Sequence, residues 1–305
     1  MVDENIVKEI LNNFLVDSVV GIERVDAWIH PSFRVSLDNR SRVFLRFPAV
    51  RDNVHFNDPY NFDKDVYVSD LLLQNDITVP RFVFRDTYKD HDFLIVEDLR
   101  GVNLGSLCRN GMKSAPENLI EGWGNYIARV HSITSDSFGY IGKNGIDKIY
   151  NSWGNVVFDF LRMKIDRNGV VDSEDKNRII LFFKRNLELL NSLRDPRLIL
   201  YNTHGDNMIV DGNKFVGVSD VMLSFFGDRS LDFMFPFYFE VQDAFTRGYV
   251  GAGGVIPEHL DTLNKFNLVN YYLSTIVNYK DATGRRATWS EDYRKKLKLL
   301  LNEGL

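Results

Sequence analysis

Short apolar runs with strand-like alternation crowd the first third of the chain, and longer stripes with helical spacing fill the rest. Residues 6–14 read as an amphipathic helix, and strands are expected at 25–29, 32–37 and 42–47. Asp38-Asn39 marks a turn between the last two, because short polar side chains tolerate tight backbone geometry. Val68, Leu71 and Leu72 share one side of a helix expected over 63–74, which Ile77-Thr-Val-Pro80 ends. Strands over 81–84 and 92–97 complete this part. Beyond it, Ser114-Ala-Pro-Glu117 reads as a capping box with an early proline, opening a helix to about residue 133. Further helices are expected over 150–166, 173–193, 231–246, 257–278 and 290–301. In the third of these, Ile179, Phe182, Phe183, Leu187 and Leu190 are spaced as a buried stripe. Gly251-Ala-Gly-Gly254 has no strand before it and reads as a loop between helices, not a phosphate cradle.

One interruption of the helical part carries chemistry. Met208-Ile-Val210 and Phe215-Val-Gly-Val218 are apolar runs separated by a stretch that begins Asp211-Gly212-Asn213. Asp-Gly between such runs predicts a hairpin, since glycine enters positive φ without steric cost. The hairpin would bring Asn207, at its entrance, beside Asp220, at its exit. An amide oxygen and a carboxylate so placed suit a hard cation such as Mg²⁺. A surface hairpin with polar ends accounts for the segment equally well.

The wider segment resembles the catalytic core of the aminoglycoside phosphotransferase and choline kinase superfamily. That family's pattern runs HGDxHxxN, a strand and turn, GxID, then GDxxxD. Its counterparts here are Leu200 to Asn207, Gly217-Val-Ser-Asp220 and Gly227-Asp228-Arg-Ser-Leu-Asp232. The resemblance implies that Asn207 and Asp220 hold Mg²⁺ on nucleotide phosphates. It implies an α+β, bilobal, protein-kinase-like fold with a small antiparallel-sheet N-lobe and a larger, mainly helical C-lobe. The lobes would span 1–97 and 103–305, joined by a hinge at 98–102.

The same alignment exposes a departure. Counting back from Asn207, His204 meets the middle His of the motif, but the catalytic Asp position holds Asn202. An amide does not accept a proton near neutral pH, so Asn202 can orient a hydroxyl but not serve as its base. His204, whose ordinary pKa lies near neutrality, is the other candidate for a catalytic role. The tripeptide His204-Gly205-Asp206 reads as the second half of the loop, not as a displaced motif.

In the small lobe, the resemblance places Arg46 on the phosphates and Asp65, fifteen residues before Pro80, as its acidic partner. The loop over the phosphates falls on Ala27-Trp-Ile-His-Pro-Ser-Phe33, which contains no glycine, so Ser32 is left as its hydroxyl donor. Backbone groups around Glu97 to Leu99 would meet the base.

Composition narrows the rest. The chain has 305 residues, enough for two lobes of unequal size, with 44% apolar and 26% charged content. Its net charge of −5 argues against a nucleic-acid partner and suits a cationic small acceptor. Glu240, Asp243, Glu258 and Asp261 fall where the family binds its acceptor, although a solvated acidic face explains them equally. The aromatic run 233–239 either packs in the core or lines the acceptor pocket, core being the simpler reading. The lone Cys108 reads as a small buried side chain, and the spaced histidines form no zinc pattern. His131, Asp228 and Asp232 read as structural. No apolar run approaches the ~20 residues of a membrane helix, and a cytoplasmic protein is expected. Two functions follow from the resemblance. One is an ATP- or GTP-dependent phosphotransferase acting on a small-molecule hydroxyl. The other is a pseudokinase that binds nucleotide or ligand with little transfer.

Overall fold

The computed structural model describes residues 4–15, 17–25, 31–48, 52–53, 58–59, 62–108, 111–168, 171–276 and 290–302. Helix α1 (Glu4–Phe14) is followed by strands β1 (Val19–Val25), β2 (Ser32–Leu37) and β3 (Arg42–Arg46). A two-residue pair, β4 (Asp52–Asn53) and β5 (Asp58–Pro59), precedes helix α2 (Asp63–Gln74). Strands β6 (Phe82–Tyr88) and β7 (His91–Glu97) complete an antiparallel five-stranded sheet in the order β1-β2-β3-β7-β6.

Period-two alternation decides what each face of that sheet covers. Phe33, Val35, Leu45, Phe93 and Ile95 pack with Val7, Ile10 and Leu11 of α1. The intervening positions Leu94 and Val96 pack with Phe62 at the head of α2. Burial of each such side chain contributes about 2 kcal/mol. Val68 and Leu72 on α2 join Ile77 and Val79 in the main core of the larger lobe. One helix thereby ties the two lobes together.

The larger lobe begins with β8 (Val102–Asn103), a short helix α3 (Leu104–Leu107) and a 3₁₀ turn at Met112–Ser114. Then come α4 (Glu117–Val130), the hairpin β9 (Phe138–Gly142) and β10 (Gly145–Tyr150), and helices α5 (Trp153–Asn168), α6 (Ser173–Arg185) and α7 (Leu187–Ser192). Strands β11 (Arg197–Ile199), β12 (Met208–Asp211), β13 (Lys214–Val218) and β14 (Phe225–Gly227) surround the loop of interest. Another 3₁₀ turn, Arg229–Phe233, leads into α8 (Met234–Tyr238), α9 (Gln242–Gly251), α10 (Leu260–Ile276) and α11 (Ser290–Asn302). Helices α4 and α9 touch backbone to backbone: a Cβ at Gly124 would collide with the Phe245 carbonyl oxygen.

Several expectations need correction. The first strand, Val19–Val25, was not expected, and of the strand expected at 25–29 all but Val25 falls outside the described residues. The Ser114 capping box does not form: its hydroxyl donates to the Gly111 carbonyl, and α4 starts at Glu117 without a side-chain cap. The expected helix over 173–193 breaks at Asn186, whose side chain turns back to bond the Phe182 carbonyl. The expected helix over 231–246 splits into three pieces, with Glu240 in the left-handed region at φ 57°. The expected helix over 150–166 starts later, because residues up to Tyr150 belong to the β9–β10 hairpin.

Candidate active site

The hairpin that carries the site forms as its sequence directs. β12 pairs antiparallel with β13, Met208 opposite Val218 and Asp211 opposite Lys214, and Gly212 turns at φ 55°. The Ser219 amide donates to the Asn207 carbonyl at 2.8 Å, closing the open end of the hairpin. That bond holds Asn207 and the chain leading to Asp220 side by side. A cavity of about 920 Å³ between the lobes is lined by Asn202, His204, Asn207 and Asp220, together with Arg46, Ser32, Glu97 and Leu99.

The loop before the hairpin is held from behind by one buried carboxylate. Asp232 accepts backbone hydrogen bonds from Leu200 (3.0 Å) and Tyr201 (2.8 Å). His131 Nε2 lies 3.1 Å from the same carboxylate, and its Nδ1 is 2.9 Å from the Tyr249 hydroxyl. Donation from Nε2–H to Asp232 leaves Nδ1 to accept from Tyr249, which satisfies the whole buried set. Tyr201 sits at φ 60°, a costly conformation for a side chain with a Cβ, and these bonds hold it there. Asp228, whose pKa burial pushes up, accepts from the Ser230 amide and starts the turn that positions Asp232.

Asn202 faces the metal-ligand candidate directly. Its Nδ2 donates to Asp220 Oδ2 at 3.1 Å, and Asp220 Oδ1 accepts the Met222 amide at 3.0 Å. Asn207 Nδ2 donates to the Asn202 carbonyl at 2.9 Å, which assigns its Oδ1 as the end free for a cation. His204 Nε2 lies 3.3 Å from the same Asn207 nitrogen and so accepts there. Burial lowers the His204 pKa, against the opposing pull of Asp206 and Asp220. A neutral ring with its basic nitrogen occupied holds Asn207 in place and is poorly set to take a substrate proton.

An amide oxygen and a carboxylate fit magnesium, which takes few protein oxygens and completes its shell with phosphate and water. Among the described residues, no group of three or more His, Cys, Asp or Glu forms a metal cluster. The donor set thus suits an ion shared with a phosphate ligand.

In the small lobe, Arg46 extends from β3 and donates to the Ser219 carbonyl at 3.3 Å, next to Asp220. Its guanidinium carbon also lies 5.8 Å from the centre of the Phe44 ring. Asp65 on α2 is buried and borders the same small recess as Arg46, but no ion pair joins the two. The expected Arg46–Asp65 bridge is therefore open in this structure, with Arg46 turned toward the hairpin instead. Burial, then the charge of Asp220, raises the Asp65 pKa to about 7, against the lowering pull of Lys64, Arg46 and Arg85. Ser32, buried at the start of β2, pairs with Arg46 across the sheet. Most of the expected cover loop lies outside the described residues.

Next to the expected hinge, the Glu97 amide donates to the Arg81 carbonyl at 2.9 Å, and the Asp98 amide to the Arg42 carbonyl at 3.1 Å. Asp98 was not singled out by sequence. Its carboxylate lies 3.2 Å from Arg34 Nε and 3.0 Å from Arg42 Nε, bracing β2 and β3 against the segment after β7. Both contacts are of charge, without hydrogen-bond alignment. An alternation of Arg and Asp within a strand and a loop gives no spacing signal, which is why the cluster is legible only in three dimensions.

The acidic residues expected at the acceptor end do not line the cavity. Glu240 pairs with Lys113 at the surface, and Asp243, Glu258 and Asp261 stand elsewhere. The aromatic run does both things expected of it: Phe233 and Phe235 are buried, while Phe235, Tyr238 and Phe239 face the cavity.

No family model matches the chain, and no curated protein matches it. Solved structures do. The GDP and kanamycin complex of the aminoglycoside phosphotransferase APH(2")-IIia superposes with a TM-score of 0.70 at 12% identity, over 99% of this chain and 100% of that one. Aminoglycoside phosphotransferase APH(4)-Ia gives 0.72 at 14% identity, over 99% of each chain. A putative fructosamine-3-kinase from Thermobifida fusca gives 0.70 at 15% identity, over 98% of each. The chain thus shares, from end to end, the two-lobed α+β fold of these aminoglycoside phosphotransferase and fructosamine-3-kinase structures.

Proposed function

We propose that this protein is a magnesium-assisted phosphotransferase, passing the γ-phosphoryl group of ATP or GTP to a hydroxyl of a small molecule. The observation that carries the reading is the convergence of Asn202, Asn207, Asp220 and Arg46 on one interlobe cavity. In this reading 1–97 holds the nucleotide, 98–102 is the hinge, and 103–305 supplies the metal ligands and acceptor pocket. Glu97 to Leu99 meet the base through backbone groups, and Ser32 donates to the phosphates. Arg46 swings from the Ser219 carbonyl onto the phosphates, and buried Asp65 fixes its direction. Asn207 and Asp220 hold Mg²⁺, which when bound offsets charge on the β- and γ-phosphates.

Asn202 orients the acceptor hydroxyl through its amide oxygen. The hydroxyl oxygen bonds to the γ-phosphorus as the bond to the β–γ bridging oxygen breaks, and the nucleoside diphosphate leaves. The hydroxyl proton passes to the transferred phosphoryl group or to water, because Asn202 does not accept it. Such transfer relies chiefly on positioning and charge stabilisation, so it proceeds without a carboxylate base, at reduced rate. The test is a thermal-shift series with ATP or GTP, with and without Mg²⁺, on wild type and Asp220→Ala. A Mg²⁺-dependent rise with either nucleotide, lost in the variant, is the expected result, and no rise with any combination overturns the reading.

A second reading has its own observation. The Asn202 amide already donates to Asp220, so the two side chains are satisfied without substrate. That favours a nucleotide-binding protein with little transfer. Nucleotide binding without nucleoside diphosphate release, across a broad hydroxyl panel, would select it.

A further inference from the structure

The acceptor end of the cleft is built of rings. Phe235, Tyr238, Phe239, Tyr271 and Tyr293 line it. Phe235 and Tyr271 meet edge to face with centroids 5.2 Å apart, and Tyr271 and Tyr293 do so at 5.5 Å. The hydroxyls of Tyr271 and Tyr293 share a hydrogen bond of 3.1 Å. Burial pushes both phenols up, Tyr293 to about 12, so this wall carries no negative charge at neutral pH.

The charge beside it has the opposite sign. Lys296 on α11 places Nζ 4.7 Å from the Tyr238 ring centre and 5.2 Å from that of Tyr293, and bonds the Tyr238 hydroxyl. Aromatic faces attract cations, and here the chain supplies the cation itself. Of the carboxylates that line the cavity among the described residues, Glu97 and Asp98 lie where the lobes join and Asp220 is in the proposed metal pair. Asp206 is the remaining one, lying beside Gly105 with its carboxylate 3.8 Å from His204 Nδ1. An acceptor at this end meets a neutral wall in which the Tyr238 and Tyr293 rings already engage Lys296, itself outside the cavity lining.

From this we infer that the acceptor is an uncharged hydroxyl compound with an aromatic or similarly flat apolar face, and that the site discriminates against cationic amines. The inference rests on the phosphotransferase reading and supplies its substrate class. Ring-on-ring contact gives the flat face its grip, and the hydroxyl projects toward Asn202.

Calorimetric titration of the protein with Mg²⁺ and a non-hydrolysable ATP analogue tests this, with phenyl glucoside, glucose, choline and kanamycin as probes. Phenyl glucoside is expected to bind roughly tenfold or more tighter than each of the others, the gain of about one aromatic contact. Tyr271→Leu keeps apolar volume without the ring and should erase most of that gain while retaining the nucleotide thermal shift. Lys296→Glu, on an exposed surface position, should tighten choline severalfold by reversing the local charge. Choline or kanamycin binding more tightly than phenyl glucoside, no gain from the phenyl group, or no binding by any probe overturns the inference. The nucleotide shift is recorded first and the probes are also titrated without nucleotide. Loss of that shift counts against the phosphotransferase reading, whereas the probe ranking alone decides the acceptor class.

Discussion

The side-chain amide of Asn202 donates to the Asp220 carboxylate across 3.1 Å. A carboxylate at position 202 would replace that bond with two like charges in contact, raising the pKa of one of them. Asn202→Asp should therefore destabilise the metal-free protein by about 1–2 kcal/mol, a loss of roughly 2–4 °C in melting temperature. Mg²⁺ with nucleotide should restore most of it, because a cation between the carboxylates removes the repulsion. Turnover should rise at least tenfold, the general-base contribution being about 10²–10⁴. Melting curves with and without Mg²⁺-nucleotide check the first part, and nucleoside diphosphate release the second. A variant equally stable in both conditions would show that the two side chains do not face one cation.

Asp232 is the group on which the geometry of the preceding loop depends. Its two oxygens accept from Leu200, Tyr201 and His131, and it is almost fully buried. Asp232→Asn exchanges one acceptor oxygen for a donor that would face a backbone N–H or the His131 ring. The expected cost is about 2–4 kcal/mol, with Tyr201 released from its left-handed conformation. Asp232→Asn should also weaken the Mg²⁺-dependent nucleotide shift, since Asn202 and Asn207 follow Tyr201 in the chain. Chemical denaturation and the thermal-shift series measure the two effects separately. Stability loss with nucleotide binding intact would mean that the loop is shaped elsewhere.

How much of this was legible in sequence follows from the range of each interaction. The hairpin at 208–218 was readable because its turn is encoded locally in Asp211-Gly212. Helix α2 was readable over its full length because Pro80 and the polar Asn75-Asp76 end it nearby. The β9–β10 hairpin was overlooked although Asn144-Gly145 marks its turn, because its short runs, interrupted by Gly139 and Gly142, gain their strand state by pairing with β14. Likewise Asn186 and Glu240 break helices through side-chain and backbone geometry that their apolar neighbours conceal. The acidic residues after Phe239 looked suited to an amine acceptor. Charge alone does not say which way a side chain points, and Glu240 points to Lys113.

Two buried charges near neutrality give the protein a testable pH signature. Asp65 is raised to about 7, first by burial and then by Asp220, against an ordinary carboxylate value near 4. The folded metal-free state thus binds more protons than the unfolded one between about pH 4 and 7, and stability falls as pH rises through that window. Ionised, Asp65 costs on the order of 4 kcal/mol. Asp65→Asn should flatten this limb and raise stability at pH 8. If Asp65 steers Arg46, the same variant should weaken nucleotide binding about tenfold. Melting temperatures from pH 4 to 8, compared between variant and wild type, decide the first point. Parallel slopes would mean that Asp65 is not held at the charge cost its burial implies.

Lys164 gives the mirror-image limb above neutrality. It is buried, bonds both the side-chain and the backbone oxygen of Asn270, lies 5.1 Å from the Phe160 ring centre, and has its pKa lowered by burial to about 7. The unfolded state therefore binds more protons between about pH 7 and 10, and stability rises with pH across that interval. Lys164→Met should remove this rise and stabilise the protein most below pH 7, where the buried ammonium is fully charged. A compensating loss is expected because Asn270 also donates to the Tyr201 hydroxyl at 3.2 Å, and its carbonyl side would be left unpaired. The decisive quantity is consequently the slope, which is insensitive to a constant offset. Denaturation midpoints of Lys164→Met and wild type from pH 6 to 10 should converge as pH rises; a constant separation would mean that Lys164 keeps its proton throughout, with solvent reaching it behind the loop that carries Asn202.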